Sequence, residues 1–161
     1  MENLEIFKAE KKDIDIVFDL INGLALYEKR PQDMTGTKEE LSYWLFDRNI
    51  ATTFIAQYNG ENIGYALYYP IFGSFSAKGK IHLEDLFIKE EYRGKGFGKY
   101  FFAKVAEDAY ENGYMGMEWS CLDWNTPSIA FYKKLEASEE TGRVYFDFSK
   151  ADMERIKEFA K

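Results

Sequence analysis

Three glycines alternate with larger residues in one short segment of the chain. In order, the segment reads Arg93, Gly94, Lys95, Gly96, Phe97, Gly98 and Lys99. An apolar run typical of a strand precedes it, and an amphipathic run typical of a helix follows it. Glycine lets the backbone turn tightly and approach a ligand closely, and the unpaired N–H groups at a helix start favour negative charge. With the positive charges of Arg93 and Lys95, the segment predicts a phosphate-binding site.

The glycine spacing excludes two common phosphate-binding loops. A Walker loop places Ser or Thr after its Gly-Lys pair, whereas Tyr100 follows Gly98-Lys99. The dinucleotide-binding fingerprint would need its third glycine at Lys99. A different class of phosphorylated ligand is therefore expected.

Arg-Gly-x-Gly-x-Gly between a strand and a helix resembles the pyrophosphate loop of the GNAT superfamily of N-acetyltransferases, which bind acetyl-coenzyme A (acetyl-CoA). Within that superfamily, the segments Leu83 to Ile88 and Asp123 to Lys134 resemble those of the diamine (spermidine/spermine) N-acetyltransferases. With Tyr27-Glu28 near the start, four separated blocks occur in the family's order. The resemblance runs from Ile6 to Phe148 and implies acetyl-CoA as cosubstrate.

Acetyl transfer from a thioester to an alkylammonium requires a base. An amine with a pKa of about 10.4 is almost wholly protonated at pH 7, so the site must help to remove a proton before the nitrogen attacks. Glu84 is the candidate base, or the anchor of a water that carries the proton, because a mid-strand carboxylate beside the glycine segment can face the amine. The departing thiolate gains from an acid placed beside it.

Asp85 follows Glu84 directly and is a second candidate for binding the substrate amine. Consecutive strand residues point to opposite faces, so both carboxylates serve one cleft only if the strand is bulged there. The resembling family has such a bulge, which exposes backbone groups to the thioester carbonyl. An ion-paired position at a sheet edge is the alternative interpretation of the two acids.

The downstream segment supplies the candidate acid. Tyr132 matches the tyrosine that the resemblance assigns to protonation of the coenzyme A thiolate, although an isolated aromatic residue on a helix is more often part of a core. Asn125 and Ser128 match contacts for the pantetheine arm, and Lys133 a contact for a phosphate. Asn125 is also suited to cap the helix that follows it.

Two further sets of contacts are implied by the resemblance. The backbone of Leu86, Phe87 and Ile88 would line the pantetheine, which lies like a strand along a splayed sheet, while their side chains belong to the core. Tyr27-Glu28 matches a position that binds the substrate amine, with Glu28 supplying negative charge. A solvated pair at a helix end is the alternative for Tyr27-Glu28.

Three reactive or bulky residues receive structural interpretations. Cys121 is expected to be a buried thiol, since the only histidine, His82, has no family role as its partner. His82 is expected to be a strand residue, and one histidine without a cysteine cluster predicts no metal site. Trp124 is assigned mainly to packing, with a possible part in shaping the acyl pocket.

The resemblance weakens after the downstream helix. Thr141 and Arg143 stand where mammalian polyamine enzymes carry a Glu and a Trp that help to hold the polycation, and Arg143 would repel a polyamine. Glu139-Glu140 would compensate if the alignment shifts by a residue or two. Glu136 replaces the glycine usual after this helix, which predicts a changed helix exit.

The elements that must position these residues follow from periodicity, caps and turns. The expected strands are Leu4 to Lys8, Thr52 to Tyr58, Ile63 to Tyr69, Lys80 to Ile88, Met115 to Leu122 and Arg143 to Phe148. Helices are expected around Ile14 to Ala25 with Asp13 as the N-cap, after the capping box at Thr37 to Glu40, from Lys99 to about Asn112, from Pro127 to Leu135, and after Ser149. Pattern alone gives α/β or α+β. The resemblance implies the GNAT acyl-CoA N-acyltransferase fold, a central mixed twisted sheet with helices on both faces.

Composition sets the class of protein. The chain has 161 residues, 46% of them hydrophobic and 18% aromatic, which suits a single domain spanning residues 1–161. No apolar run has membrane-spanning length and no signal peptide is evident, so a cytoplasmic location with no membrane partner is expected. The net charge of −7 disfavours nucleic acid and favours cationic small molecules.

The leading hypothesis is an acetyl-CoA-dependent N-acetyltransferase acting on a diamine or polyamine by direct transfer in a ternary complex. Another acceptor is an alternative, such as a lysine-like amino acid, an aminoglycoside or a protein N-terminus, because Arg143 could pair with a substrate carboxylate. A non-catalytic coenzyme A-binding module is a third hypothesis. The resemblance also implies a homodimer, for which the aromatic segments Tyr65 to Phe75 and Arg143 to Phe148 are candidate interfaces.

Overall fold

The computed structural model describes residues 2–160, and within them the chain forms two compact units. The first unit extends to Ser120, and the second begins at Cys121. The first unit holds the sheet, its covering helices and the glycine segment. The second holds two α-helices and a short 3₁₀ helix over Lys157–Ala160. A single domain over residues 1–161 stays a prediction.

The first unit is built on a five-stranded sheet whose spatial order follows the chain order. Its strands are β1 (Leu4–Lys8), β2 (Thr52–Tyr58), β3 (Glu61–Gly73), β4 (Lys78–Ile88) and β5 (Met117–Trp119). The pairs from β1 to β4 are antiparallel, whereas β4 and β5 run parallel. The predicted mixed sheet is confirmed.

Three α-helices of the described residues belong to this unit: α1 (Ile14–Tyr27), α2 (Lys38–Ser42), which continues as a π-helical turn over Tyr43–Asp47, and α3 (Phe97–Glu111). Alternate residues of the central strands feed two separate cores. Phe54 and Ala66 share one core with Phe101 of α3, and Ile55 and Tyr65 share the other with Val17 of α1. Helices therefore cover both faces of the sheet, as expected.

Local sequence signals explain the turn between β2 and β3 and the start of α2. Asn59 and Gly60 both have positive φ, 51° and 80°, which is the conformation of a tight two-residue hairpin turn. At the start of α2, the Thr37 hydroxyl accepts from the Glu40 N–H at 3.1 Å, and the Glu40 carboxylate accepts from the Thr37 N–H at 2.9 Å. The predicted hairpin and capping box are confirmed. Asp13 precedes α1 without a side-chain cap bond, because its carboxylate accepts from the Glu10 N–H instead.

The second unit contains α4 (Thr126–Lys134) and α5 (Lys150–Ile156). Pro127 lies in the first turn of α4, where its missing N–H costs nothing. Ser149 caps α5 through a reciprocal pair of bonds with Asp152. Both predicted helices are confirmed.

The predicted final strand is wrong. No described residue from Arg143 to Phe148 belongs to a strand, and Tyr145 and Phe146 are 85% and 92% exposed. The segment alternates like a strand, but a strand exists only where a neighbour supplies hydrogen bonds along its edge. The predicted strand at Met115 to Leu122 is also shorter, because its pairing with β4 covers only three residues.

Candidate active site

A bulge in β4 brings the carboxylates of Glu84 and Asp85 to the same face of the sheet. Leu67 of β3 lies opposite Asp85, whereas the next residue, Tyr68, lies opposite Leu83. Glu84 is therefore the extra residue on β4, and the usual alternation is interrupted there. Since Leu67 packs in the core beneath α1, the Asp85 side chain lies on the α1 face. The bulge that the resemblance implied is present.

Glu84 is directed to this same face. The Tyr69 hydroxyl donates to Glu84 Oε2 at 3.2 Å, and His82 Nε2 lies 3.7 Å from the same oxygen. The Glu84 side chain is 53% exposed, so its carboxylate remains accessible to a substrate. A solvent-accessible carboxylate with one neutral donor can accept a proton from an approaching ammonium.

Asp85 lies deeper than Glu84. The pKa of Asp85 is raised to about 7, chiefly by burial and also by the charges of Glu84 and Glu28, while the Tyr65 hydroxyl acts in the opposite direction. Tyr65 is fully buried, and its hydroxyl approaches Asp85 without reaching the geometry of a full hydrogen bond. Asp85 therefore changes charge near neutral pH, within the site.

The end of α1 adds a third carboxylate. Glu28 caps the C-terminus of α1 and is partly buried, and burial raises its pKa while Arg30 lowers it. Its charge reaches both Asp85 and Tyr65. Glu28, Glu84 and Asp85 thus form an acidic cluster on the α1 face, which favours a cationic ligand.

Tyr27 connects the acidic cluster to the glycine segment. The Arg93 guanidinium lies 4.0 Å from the centroid of the Tyr27 ring, and Arg93 Nε donates to the Ile88 carbonyl at 2.8 Å. Such a stacked and bonded guanidinium is held in place. Arg93 therefore joins the end of β4 to the end of α1, a structural role that the sequence interpretation did not contain.

The glycine segment turns directly into α3. Gly94 and Gly96 have φ values of 75° and 83°, a conformation that glycine adopts readily. The first backbone bond of the helix runs from the Tyr100 N–H to the Gly96 carbonyl, at 3.1 Å. The earlier N–H groups of α3 lie before the first intrahelical bond, as at every helix start.

Space above this helix start fits a bound phosphate. A Cβ placed at Gly94 or Gly98 would meet no atom within 4 Å. Gly98 has an ordinary φ, so neither strain nor a protein neighbour requires glycine there. Lys95 and Lys99 are exposed beside it. The open helix start, with two lysines, suits the pyrophosphate of acetyl-CoA.

One edge of β4 is open next to the bulge. The ladder with β5 covers Ile81, His82 and Leu83, and β5 ends at Trp119. The backbone of Leu86, Phe87 and Ile88 therefore lies beyond the β5 ladder, while these residues still pair with β3. Phe87 and Ile88 are buried in the two cores, and Leu86 packs against one of them. This agrees with backbone, rather than side-chain, contacts to a ligand.

The second unit carries the candidate acid. Tyr132 lies on α4, with its ring edge-on to Phe131 at 5.2 Å between centroids. Burial, with a smaller contribution from Cys121, raises the pKa of Tyr132 to about 12. The hydroxyl thus keeps its proton at neutral pH, which is the state an acid needs.

The other residues predicted on α4 have structural contacts. Asn125 is 5% exposed, and its side chain accepts from the Ser128 N–H at 3.3 Å, so the predicted cap is confirmed. Lys133 Nζ lies 3.7 Å from Glu139 in an exposed ion pair. Their contacts with coenzyme A stay predictions.

The departures from the family lie on the surface of the second unit. Arg143 pairs with Glu140 at 3.8 Å, and both side chains are largely exposed. Glu136 has a φ of 60°, the left-handed conformation usual for glycine at a helix end. The helix exit is therefore retained with a strained residue, and the expected change of exit is not observed.

Sequence reasoning missed the partners of the acidic cluster. Tyr65 and Tyr69 lie on β3 beneath Asp85 and Glu84, and Glu118 on β5 lies next to His82. Alternation along β3 places Tyr65 and Tyr69 on one face, which was a usable signal. The position of Glu118 depends on the β4–β5 register, which no local pattern gives.

Neither a metal cluster nor a membrane span is found in the described part of the chain. Residues 2–160 contain no group of three or more His, Cys, Asp or Glu side chains placed to hold a metal ion. No helix among them has both the length and the apolar character needed to cross a membrane.

Comparison with known proteins agrees with the geometry. The model of the acetyltransferase (GNAT) family matches residues 20–136. Thialysine N-epsilon-acetyltransferase of Sus scrofa is 30% identical over 169 residues, covering 99% of each chain. L-ornithine N5-acetyltransferase of Arabidopsis thaliana is 42% identical over 74 residues, covering 46% of this chain and 32% of that protein.

A solved structure agrees in fold. An aminoglycoside acetyltransferase from an uncultured soil metagenomic sample, in complex with sisomicin, superposes with a TM-score of 0.78 at 18% identity. The match covers 91% of this chain and 96% of that chain. At this identity the likeness concerns the fold.

Proposed function

The chain belongs to the acetyltransferase (GNAT) family, and we propose that this acetyl-transferring enzyme acetylates the side-chain amine of a lysine-like amino acid. The observation that carries the proposal is the acidic cluster at the β4 bulge, where Glu28, Glu84 and Asp85 share one face of the sheet. The cluster offers negative charge to an alkylammonium and a carboxylate that can take its proton.

Glu84 is the proposed base. It is the exposed member of the cluster, and its carboxylate is oriented by the Tyr69 hydroxyl at 3.2 Å. A substrate ammonium next to Glu84 would lose a proton to the carboxylate, directly or through a water, and its nitrogen would then attack. Asp85 and Glu28 hold the ammonium before the transfer, since both lie deeper than Glu84 and are close enough to interact.

Acetyl-CoA supplies the acetyl group as a thioester. In the first unit, Gly94 to Gly98 and the start of α3 would bind its pyrophosphate, with Lys95 and Lys99 adding positive charge. The backbone of Leu86 to Ile88, which lies beyond the β5 ladder, would contact its pantetheine arm. The open space at Gly98 supports this assignment.

Tyr132 is the proposed acid, with its hydroxyl proton passing to the leaving thiolate. As the amine nitrogen forms its bond to the acetyl carbon, the carbon–sulfur bond breaks and the thiolate takes that proton. The raised pKa of Tyr132 keeps its hydroxyl protonated at the pH of the reaction. The nitrogen, which still carries two protons when it bonds to the acetyl carbon, releases one of them to water to give the neutral amide, and Tyr132 regains its proton from solvent.

Two observations support a lysine-like acceptor over a diamine. The similar proteins named above act, by their names, on thialysine and ornithine, which are amino acids with a side-chain amine. Arg143 lies in an exposed ion pair with Glu140, and a substrate carboxylate would replace Glu140 as its partner. A diamine or polyamine is the second candidate, favoured by the acidic cluster and by the resemblance of Leu83 to Ile88.

Acetyl-CoA consumption across a panel of amines tests the proposal. The panel is thialysine, lysine, ornithine, spermidine, putrescine, an aminoglycoside and a peptide N-terminus, and the assay follows release of free thiol. The wild type is expected to turn over the amino acids fastest. Glu84→Gln is expected to lower kcat by roughly 100-fold with every accepted amine, because a carboxamide cannot act as the base.

Three further predictions accompany this function. A homodimer is implied by the resemblance, and the exposed Tyr145, Phe146 and Phe148 of the second unit are candidate interface residues. A single domain and a cytoplasmic location are likewise predicted. Sedimentation velocity at several protein concentrations tests the homodimer.

A further inference from the structure

The only histidine of the chain lies between two carboxylates. His82 Nε2 is 3.7 Å from Glu84 Oε2, and His82 Nδ1 is 3.8 Å from Glu118 Oε1. The β4–β5 register sets this arrangement, since His82 and Glu118 are opposite each other in the parallel ladder. Each ring nitrogen thus faces a different carboxylate.

The His82 ring is largely enclosed, whereas the two carboxylates are about half exposed. His82 stacks on Tyr69 with 5.1 Å between ring centroids and 24° between planes, and its side chain is 20% exposed. Glu84 and Glu118 are 53% and 43% exposed. Both separations exceed a hydrogen bond, and small rotations of these exposed side chains close them.

Within the described residues, the charged and titratable groups in contact with His82, Glu84 and Glu118 lie on strands of the sheet. Tyr69 from β3 donates to Glu84, and Lys80 from β4 lies 4.0 Å from Glu118. These two residues, with Glu84 and Glu118, are the charged and titratable groups that the described contacts place around His82. The arrangement runs from the proposed base, through an imidazole, to a half-exposed carboxylate.

We propose that His82 is a proton relay that clears the substrate proton from Glu84 toward Glu118 and solvent. This inference rests on the proposed function, because it takes Glu84 to be the base. Imidazole suits the task, since it can accept a proton at one nitrogen while releasing one from the other near neutral pH.

The relay consists of four proton transfers. The ammonium gives one proton to Glu84, and Glu84 passes it to Nε2 of neutral His82. The proton on Nδ1 leaves to the Glu118 carboxylate and then to water. His82 ends neutral in its other tautomer and returns to the first by exchange with water. No oxidant or further reactant is needed.

Substitution of His82 tests the relay. His82→Gln keeps polarity but cannot relay a proton, and it is expected to lower kcat about 10- to 50-fold with the KM for acetyl-CoA unchanged. Added imidazole is expected to restore at least a third of the lost rate. Glu118→Gln should cost about threefold, because Nδ1 can still release its proton to water. Glu107→Gln on α3, on the opposite face, is the matched control and should keep the wild-type rate.

The outcomes separate the two proposals. Absence of turnover by the wild type with every amine overturns the proposed function and the relay with it. Wild-type turnover with an unchanged His82→Gln rate overturns the relay alone. A slow His82→Gln that imidazole does not restore also overturns it, since that result indicates loss of structure.

A second measurement uses the single imidazole as a probe. In ¹⁵N-labelled protein without a histidine tag, the Nε2 resonance is expected to move in Glu84→Gln and the Nδ1 resonance in Glu118→Gln. Neither should move in Glu107→Gln. Resonances that stay fixed in both of the first two variants would contradict the contacts on which the relay depends.

Discussion

Glu84 and Asp85 are consecutive, yet both carboxylates lie on the face of the sheet that α1 covers. The cause is the register change that sets Leu67 opposite Asp85 and Tyr68 opposite Leu83. Without the bulge, one of the two acids would point into the core beneath α3. The bulge therefore creates the acidic cluster, and it gives its two members different surroundings, exposed for Glu84 and largely enclosed for Asp85.

Asp85→Asn is expected to stabilise the protein at high pH. Because the pKa of Asp85 is raised to about 7 in the folded state, from 3.8, folding holds the carboxyl proton and opposes ionisation. The wild-type free energy of unfolding is therefore highest below about pH 4, and it falls as the pH rises from 4 through 7. At pH 8 the ionised form destabilises by up to about 4 kcal/mol, at about 1.4 kcal/mol per pKa unit.

Urea denaturation of wild type and Asp85→Asn from pH 4 to pH 8 measures this. The difference in unfolding free energy should be small at pH 4 and grow toward pH 8. Asp33→Asn, at an exposed ion pair with Arg30, is the matched control. A difference between wild type and Asp85→Asn that is constant with pH would contradict the enclosed carboxyl.

Gly98→Ala is expected to separate folding from ligand binding. A Cβ there meets no atom within 4 Å and the backbone φ is ordinary, so alanine fits the helix start without strain. Stability should stay equal or rise by about 0.5 to 1 kcal/mol. Affinity for coenzyme A should fall at least tenfold, because the methyl group occupies space that the pyrophosphate needs.

Isothermal titration with coenzyme A and thermal denaturation without it give the two quantities for Gly98→Ala. Gly36→Ala, which also has open space and an ordinary φ, should change neither. Unchanged coenzyme A affinity in Gly98→Ala would remove the helix start from the cofactor site.

Arg93 and Lys95 are expected to differ in role. Arg93 stacks on Tyr27 and donates to the Ile88 carbonyl, so Arg93→Ala should cost about 1 to 2 kcal/mol of stability in the absence of ligand. Lys95 is exposed, and Lys95→Ala should leave stability within about 0.5 kcal/mol while weakening coenzyme A binding. Urea denaturation compares the two variants. Equal stability of both would show that the Arg93 contacts do not join β4 to α1.

Tyr132→Phe keeps the ring and removes the proposed acid. We expect kcat to fall by about 10- to 100-fold, with little change in the KM for the amine. Tyr110→Phe, at a residue that is 81% exposed on α3, is the control for loss of a phenol hydroxyl. If Tyr132→Phe retains the wild-type kcat with every accepted amine, another group protonates the thiolate.

Local signals predicted most of the elements. The Asn59-Gly60 turn, the Thr37 capping box and the Asn125 cap depend on residues near in sequence, and all three are present. The bulge at Glu84 is a matter of register between strands, and only the resemblance indicated it. The segment Arg143 to Phe148 was predicted wrongly as a strand. Its alternating pattern is typical of a strand, but the pattern cannot indicate whether a neighbouring strand exists to pair with it.

The sequence predicted the roles of some site residues but not the contacts of others. Glu84 and Asp85 were named from their charge and their place beside the glycine segment, and Glu28 from the resemblance; the structure brings the three together. Arg93 was named for its charge, which gave no hint of its contact with Tyr27, 66 positions earlier. The position of His82 between Glu84 and Glu118 depends on a three-residue ladder that sequence spacing cannot reveal.

Acceptors that differ only by a carboxylate test the proposed lysine-like substrate most directly. Lysine and cadaverine form one such pair, and ornithine and putrescine another. Rates of acetyl-CoA-dependent acetylation give kcat/KM for each. We predict acetylation of the side-chain amine and a kcat/KM at least tenfold higher for the amino acid in each pair. Equal values, or faster acetylation of the diamines, would contradict a lysine-like acceptor.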